Sequence, residues 1–228
     1  MQKKADELKA ASYQNALDTV EKLEIKLTEF AKQHSKEIQT DPAIRQRVLE
    51  MCAPLGVDPL ASKKSFWGNM ADFYHELAVK VAEVCVATRA QNGGIMNIEQ
   101  VQATLEKRQT RLGTKQYTAT KTSIHDIKVA IEKLEKLGGG FRTIKVGNST
   151  MVVSVPTELD NDHMTIMAVA ENSRGGVSVE DAMQKTGWDR DRVERSLDLL
   201  LHQGMAWLDR YHGVEYYWLP SVWQQQSF

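Results

Sequence analysis

Cysteine is scarce in this sequence, since Cys52 and Cys85 are the only two among 228 residues. They lie far apart and lack the spacing of a disulfide framework or a zinc site, so both are expected to be small buried hydrophobic residues. Long apolar runs are also missing: no stretch approaches the roughly 18 residues of a membrane span, and no signal peptide opens the chain. These absences predict a cytoplasmic protein without a metal site.

Catalytic signatures are missing as well. The six histidines show no metal-type spacing, and His75-Glu76 is not followed by the second histidine of a zinc-protease motif. Gly138-Gly139-Gly140 follows a predicted helix and precedes a predicted strand, whereas phosphate-binding loops run from strand to helix. No serine or cysteine has the context of an activated nucleophile. We therefore expect no enzyme activity and no cofactor.

What the sequence does contain is one small pattern that occurs twice in its last two-thirds. Each copy has an apolar helix, a double glycine, a short strand, two further helices and a pair of strands. The double glycines are Gly93-Gly94 and Gly175-Gly176, and the strand pairs are predicted at 141–146 with 151–155 and at 205–211 with 214–219. Apolar residues three and four apart lie on one face of each third helix. They are Ile127, Ile131, Leu134 and Leu137 in the first copy, and Val193, Leu197, Leu200 and Leu201 in the second. Three helices with a two-stranded hairpin indicate a winged helix.

A different pattern precedes the repeats. Apolar and aromatic residues three and four apart form a heptad seam on a first helix. They are Tyr13, Ala16, Val20, Leu23, Leu27, Phe30 and His34. The helix is expected to stop near Thr40-Asp41-Pro42, where a capping side chain and a proline start a second helix that folds back on the first. The seam either packs on its own domains or partly meets another chain, and we favour the second interpretation.

These patterns predict a mainly α chain with small β wings. An N-terminal helical hairpin is expected over residues 1–55 and a connecting segment over 56–71. The first winged helix is expected over 72–156 and the second over 157–228, joined near Pro156-Thr157 by a link too short for independent tumbling.

Short motifs in a fixed order connect these segments to a known family. In the first half they are Gly56-Val57-Asp58-Pro59, Phe66-Trp67, Asp72-Phe73-Tyr74, Glu83-Val84-Cys85 and Asn92-Gly93-Gly94. In the second half they are Ser154-Val155-Pro156-Thr157-Glu158-Leu159, Gly204-Met205-Ala206-Trp207-Leu208-Asp209 and Tyr217-Trp218-Leu219-Pro220. Together they resemble the vacuolar protein sorting-associated protein 22 family, also called the EAP-thirty family, of ESCRT-II subunits.

The resemblance implies a scaffold function. Members of this family form a Y-shaped complex with one copy of subunit 36 and two copies of subunit 25. The complex acts at endosomes in multivesicular-body sorting of ubiquitinated membrane proteins and leads to ESCRT-III recruitment, with an indirect link to ESCRT-I. The basic N-terminal helix of the family is represented here only by Lys3, Lys4 and Lys9. Either the chain is truncated relative to the family, or contact with endosomal membranes is weak or mediated by partners.

Two partner surfaces are predicted. The aromatic end of the chain is expected to hold subunit 25, because exposed tyrosine and tryptophan anchor interfaces and suit proline-bearing segments. Its candidate residues are Tyr211, Tyr216, Tyr217, Trp218 and Trp223, whereas Trp207 is expected to be a core residue. The hairpin residues Val20, Leu23, Leu27 and Phe30 are expected to meet subunit 36.

The alternative is a tandem winged-helix DNA-binding or transcription-associated protein. Binding to phosphates requires an excess of lysine and arginine, but the formal net charge is −1 and the charges of both third helices balance. The only basic run, Lys107-Arg108 with Arg111 and Lys115, is predicted to lie in a loop. We therefore expect no specific binding of nucleic acid.

Overall fold

A computed structural model describes residues 2–56, 58–60, 65–111 and 121–223. The chain divides into two compact units, one formed by residues 1–75 with 115–122 and the other by 76–114 with 123–228. None of the helices in the described part of the chain is both long and apolar enough to cross a membrane.

The first unit is helical. It contains α1 (Gln2–Gln33), α2 (Ser35–Thr40), α3 (Pro42–Cys52), a short 3-10 helix (Ala53–Leu55) and the start of α4 (Ser65–Asn92). Asp41 caps α3, since its carboxylate accepts a 2.8 Å hydrogen bond from the backbone N–H of Ala43, and Pro42 occupies the first helical position. The predicted helix start at Asp41-Pro42 is confirmed. The first helix does not run on to Thr40 as predicted, because α1 ends at Gln33 and the short α2 lies between it and α3. The last part of the predicted connecting segment (56–71) is helical, because α4 begins at Ser65.

A buried arginine ties the first unit together. Arg45 has no exposed surface, and its guanidinium donates hydrogen bonds to the carbonyls of Ile38 (3.2 Å) and Gln39 (2.9 Å) at the end of α2. It also donates to the carbonyl of Lys121 (2.6 Å) and lies 4.2 Å from the ring centre of Phe73. Charge-assisted hydrogen bonds to carbonyls satisfy a group that is otherwise costly to bury.

The second unit contains two winged helices in sequence. The first comprises α4 from Glu76, β1 (Ile95–Asn97), α5 (Ile98–Arg111), α6 (Ile124–Lys136), β2 (Phe141–Val146) and β3 (Ser149–Ser154). The second comprises α7 (Asn161–Glu171), β4 (Gly176–Val177), α8 (Val179–Thr186), α9 (Arg190–His202), β5 (Trp207–Tyr211) and β6 (Val214–Trp218), followed by a 3-10 helix (Pro220–Val222). Each has a three-stranded antiparallel sheet, ordered β1-β3-β2 and β4-β6-β5. The predicted fold class is confirmed.

The two winged helices share one hydrophobic core. Ile95, Val146, Met151 and Val153 of the first repeat pack in the same buried cluster as the α7 residues Ile166, Met167 and Ala170. The backbone is close-fitting here, because a Cβ at Gly93 would overlap the backbone of Gly204 and Met205. Such a continuous core supports the expectation that the two repeats move as one body.

Candidate protein-interaction surfaces

The second wing is the hairpin of β5 and β6, and its strands are joined by a two-residue turn. Both turn residues have positive φ, 50° at His212 and 80° at Gly213, as a type I′ turn requires. The register pairs Trp207 with Trp218, Asp209 with Tyr216 and Tyr211 with Val214. Because paired residues project to the same side of a sheet, these six residues form one surface, which we call the aromatic face.

The aromatic face is largely open to solvent. Trp207 is 50% exposed and Tyr211 is 64% exposed, while Tyr216 and Trp218 are half-buried. Trp223, itself 49% exposed, extends the surface because its ring centre lies 5.9 Å from that of Trp218. The structure therefore brings four of the five predicted aromatic residues together.

The fifth predicted residue, Tyr217, points to the opposite side of the sheet and is 5% exposed. Burial raises the pKa of its hydroxyl, and the nearby carboxylates of Asp198, Glu215 and Glu194 raise it further. These carboxylates include two from α9, so Tyr217 packs within its own winged helix. Its assignment to the contact surface is wrong, because strand alternation places it on the core side.

Trp207 was expected in the core, and that expectation is also wrong. Its strand, β5, lies at the edge of the sheet, and all five of its residues are exposed. Sequence alternation indicates which residues share a side, but it does not reveal which side another element covers. Trp207 therefore joins the aromatic face.

The internal repeat gives this face a structural counterpart. The Gly94 carbonyl accepts a 2.8 Å hydrogen bond from Ser154 N–H, and the Gly175 carbonyl accepts one of 2.7 Å from Leu219 N–H. Ser154 and Leu219 therefore occupy equivalent positions. When residues are counted back along the chain from Ser154 and from Leu219, the buried residues Val146, Met151 and Val153 of the first wing correspond to Tyr211, Tyr216 and Trp218 of the second.

The counterpart in the first wing is covered by another winged helix. Val146, Met151 and Val153 are at most 1% exposed, and they pack with α7 of the second repeat. The same side of the second wing has aromatic residues and no cover among the residues that the structure describes. An exposed apolar surface of this kind is a candidate for protein–protein contact.

The predicted hairpin residues divide between core and surface. Leu27 is 9% exposed and Phe30 is half-buried, whereas Val20 and Leu23 are 37% and 40% exposed. Tyr13 and Leu17, earlier on the same seam, are exposed as well. The seam is therefore covered near its C-terminal end and open towards its N-terminal end.

A groove continues the seam within the same unit. It has a volume of about 600 Å³ and lies between the end of α1 and α3. Its apolar lining includes Phe30, Ile44, Val48 and Met51, and Met51 is 41% exposed. At its rim, His34 Nδ1 lies 2.6 Å from a Glu37 carboxylate oxygen. Lys3, Lys4 and Lys9 lie on α1, and their side chains are outside what the structure describes.

The family profile of EAP30/Vps36 matches residues 1–210. The chain belongs to the EAP30/Vps36 family. The vacuolar-sorting protein SNF8 of Xenopus tropicalis is 40% identical to this family member over 207 residues, which cover 89% of this chain and 78% of the relative. The vacuolar protein sorting-associated protein 22 homolog 1 of Arabidopsis thaliana is 40% identical over 201 residues, which cover 86% and 78%.

Solved structures agree with the family membership. A chain in "Structure of the ESCRT-II endosomal trafficking complex" has a TM-score of 0.75 and 25% identity, and the match covers 94% of this chain and 97% of that chain. A chain in "The crystal structure of endosomal complex ESCRT-II (VPS22/VPS25/VPS36)" has a TM-score of 0.71 and 27% identity, with 91% and 92% covered.

In this EAP30/Vps36 family member, carboxylates neutralise the helix that reads DNA in many winged-helix proteins. On α9, Arg190 lies 2.5 Å from Glu180 and 3.1 Å from Glu194. Arg192 donates two hydrogen bonds of 2.7 Å to Asp162, which raise the pKa of Arg192 and lower that of Asp162. Phosphates would have to compete with these carboxylates for both guanidinium groups.

The basic run in the first repeat is not in the predicted loop. Lys107 and Arg108 lie on α5, which ends at Arg111, so the loop assignment is wrong for these three residues. Lys115 lies outside the described residues. The helix continues because glutamate, lysine, arginine and glutamine all favour helix at the end of α5.

The two cysteines are buried, as predicted. Cys52 and Cys85 are 0% and 2% exposed. Burial raises the pKa of the Cys85 thiol to about 11, which keeps it protonated at neutral pH. Among the side chains that the structure describes, no group of three or more could ligate a metal ion.

Proposed function

We propose that this chain is the subunit-22 type scaffold of an ESCRT-II complex and has no enzymatic activity. It acts in endosomal sorting of ubiquitinated membrane proteins into multivesicular bodies by holding the other subunits, which leads to ESCRT-III recruitment. The names of its relatives and the assemblies in which its structural neighbours occur support this proposal. The chain is recruited to endosomal membranes from the cytoplasm through its partners.

The observation that carries the proposal is the aromatic face. Its equivalent in the first repeat is fully covered by a winged helix, whereas Trp207 and Tyr211 remain half or more exposed. Tyrosine and tryptophan dominate binding energy at protein interfaces, because their large rigid rings lose little conformational freedom. We assign this face, with Trp223, to subunit 25.

The open part of the helical seam is assigned to subunit 36. Val20 and Leu23 are exposed in a heptad pattern that continues into the buried Leu27. A partner helix that follows the seam would cover these residues as in a coiled coil. The test is pull-down of subunits 36 and 25 by the full chain, with each surface altered in turn. Loss of one subunit without loss of the other is expected for each surface, and joint loss or no loss would contradict the assignment.

DNA binding is the alternative function, and the arrangement of charges on α9 disfavours it. Arg190 and Arg192 are paired with carboxylates on their own winged helix. A fluorescence anisotropy titration with duplex DNA at physiological salt separates the two functions. Sequence-dependent binding tighter than about 0.1 µM would support DNA binding as the function, because specific DNA-binding proteins reach that range.

A further inference from the structure

The contact between the two repeats provides a template for a second docking surface. The first wing covers one side of α7, where Met167 and Ala170 have no exposed surface. The turn of that wing approaches closely, since a Cβ at Gly147 would lie 3.7 Å from the Cβ of Ala168. The hydroxyl of Ser149 donates a hydrogen bond to the carboxylate of Glu171. The first helix of a winged-helix domain can therefore bind the wing of a neighbouring domain on the side that faces away from its own core.

The corresponding helix of the first repeat is α4. Gly93 and Arg174 end the two helices with positive φ of 64° and 62°, and the following glycines, Gly94 and Gly175, make equivalent bonds to the wings. Counting back from these positions, Val86 corresponds to Met167, Ala87 to Ala168 and Ala90 to Glu171. On α4, these three residues lie on the side that corresponds to the side of α7 in contact with the first wing.

This side of α4 is open. Val86 is 53% exposed, Val79 one heptad earlier is 57% exposed, and Ala87 and Ala90 are exposed too. We call these four residues the α4 stripe. Helical spacing places them on one side, opposite to Val81, Val84 and Cys85, which are buried in the core.

The size of the side chains indicates what the stripe accepts. Valine replaces the longer Met167, and alanine replaces the longer Glu171, so a wing seated on α4 has more room than the first wing has on α7. The aliphatic residues of the first wing would leave gaps there, which cost packing energy. Aromatic side chains, such as those that form the second wing of this chain, would fill the same space.

We propose that the α4 stripe binds the aromatic wing of a winged-helix domain in a different subunit, in the manner in which α7 binds the first wing. The choice of a different subunit rests on the proposed function, which assigns the second wing of this chain to subunit 25.

A photo-crosslink within the assembled complex tests this proposal. The full chain, with Val86→p-benzoylphenylalanine, is co-expressed with subunits 36 and 25, irradiated and mapped by mass spectrometry. The expected product joins position 86 to the strand-turn-strand segment of another subunit's winged helix. The matched control is Leu137→p-benzoylphenylalanine, since Leu137 is 84% exposed and lies at the end of α6. It should give at most a tenth of that product.

The outcomes separate the inference from the proposed function. A complex of the expected mass in which position 86 crosslinks to a helix, to a second copy of this chain or to nothing refutes the inference alone. Failure to form any complex refutes the proposed function and the inference with it. In addition, Val86→Asp should lower the yield of assembled complex at least tenfold with an unchanged melting temperature, whereas Leu137→Asp should leave the yield unchanged.

Discussion

Truncating one side chain on each side of the second wing should separate binding from folding. Tyr211 is 64% exposed on the aromatic face, and Tyr217 is 5% exposed on the opposite side. Tyr211→Ala removes little packing in the isolated chain, so its free energy of unfolding should change by about 0.5 kcal/mol or less. For a chain of this size that corresponds to a shift in melting temperature of about 1–2 °C.

The same substitution should greatly weaken the complex. An aromatic anchor buried at an interface contributes about 2–4 kcal/mol on truncation, which is a factor of roughly 30 to 1,000 in affinity for subunit 25. Trp207→Ala should behave in the same way. Tyr217→Ala should instead lower the free energy of unfolding by about 3–5 kcal/mol, as large-to-small core substitutions do.

Isothermal titration with subunit 25 and thermal unfolding provide the two measurements. Tyr217→Phe is the control for the core side, because it keeps the ring and should retain both affinity and stability. Unchanged affinity in both Tyr211→Ala and Trp207→Ala, with the fold intact, would refute the assignment of subunit 25 to the aromatic face.

Three further predictions concern the rest of the molecule. Val20→Asp with Leu23→Asp should abolish binding to subunit 36 and leave the protein folded, because both side chains are exposed on the open part of the seam. An unchanged complex on size exclusion would show that this part of the seam does not bind subunit 36. Arg45→Met should lower the unfolding free energy by about 3 kcal/mol in urea titration, because it leaves three carbonyls without their donor, and a change below about 1 kcal/mol would contradict this. Arg192 lowers the pKa of Asp162, so this carboxylate stabilises the fold above its unfolded pKa and loses that effect as pH falls through the lower folded value. Asp162→Asn should therefore reduce the drop in urea midpoint between pH 7 and pH 2, and an identical drop would refute the pairing.

Local signals in the sequence account for much of the fold. The proline and capping aspartate at Asp41-Pro42 define the start of α3, and apolar spacing identifies the third helix of each repeat. These features depend on neighbours within a few residues, so sequence patterns reveal them.

The residues that sequence reasoning missed depend on contacts between distant parts of the chain. Trp207 is exposed because no described element covers its side of β5, and which side is covered depends on distant parts of the chain. Arg45 is buried because it meets the carbonyl of Lys121, 76 residues away. A match between the two repeats at the equivalent positions Val146 and Tyr211 could have revealed the aromatic face, because a buried aliphatic residue in one copy is replaced by a tyrosine in the other.

The mass of the complex decides whether this chain assembles as an ESCRT-II subunit. The full chain should be co-expressed with subunits 36 and 25, purified through a tag on this chain, and weighed intact by native mass spectrometry. We predict a single species with one copy of this chain, one of subunit 36 and two of subunit 25. Purification of the folded chain without either subunit would contradict the assignment to ESCRT-II.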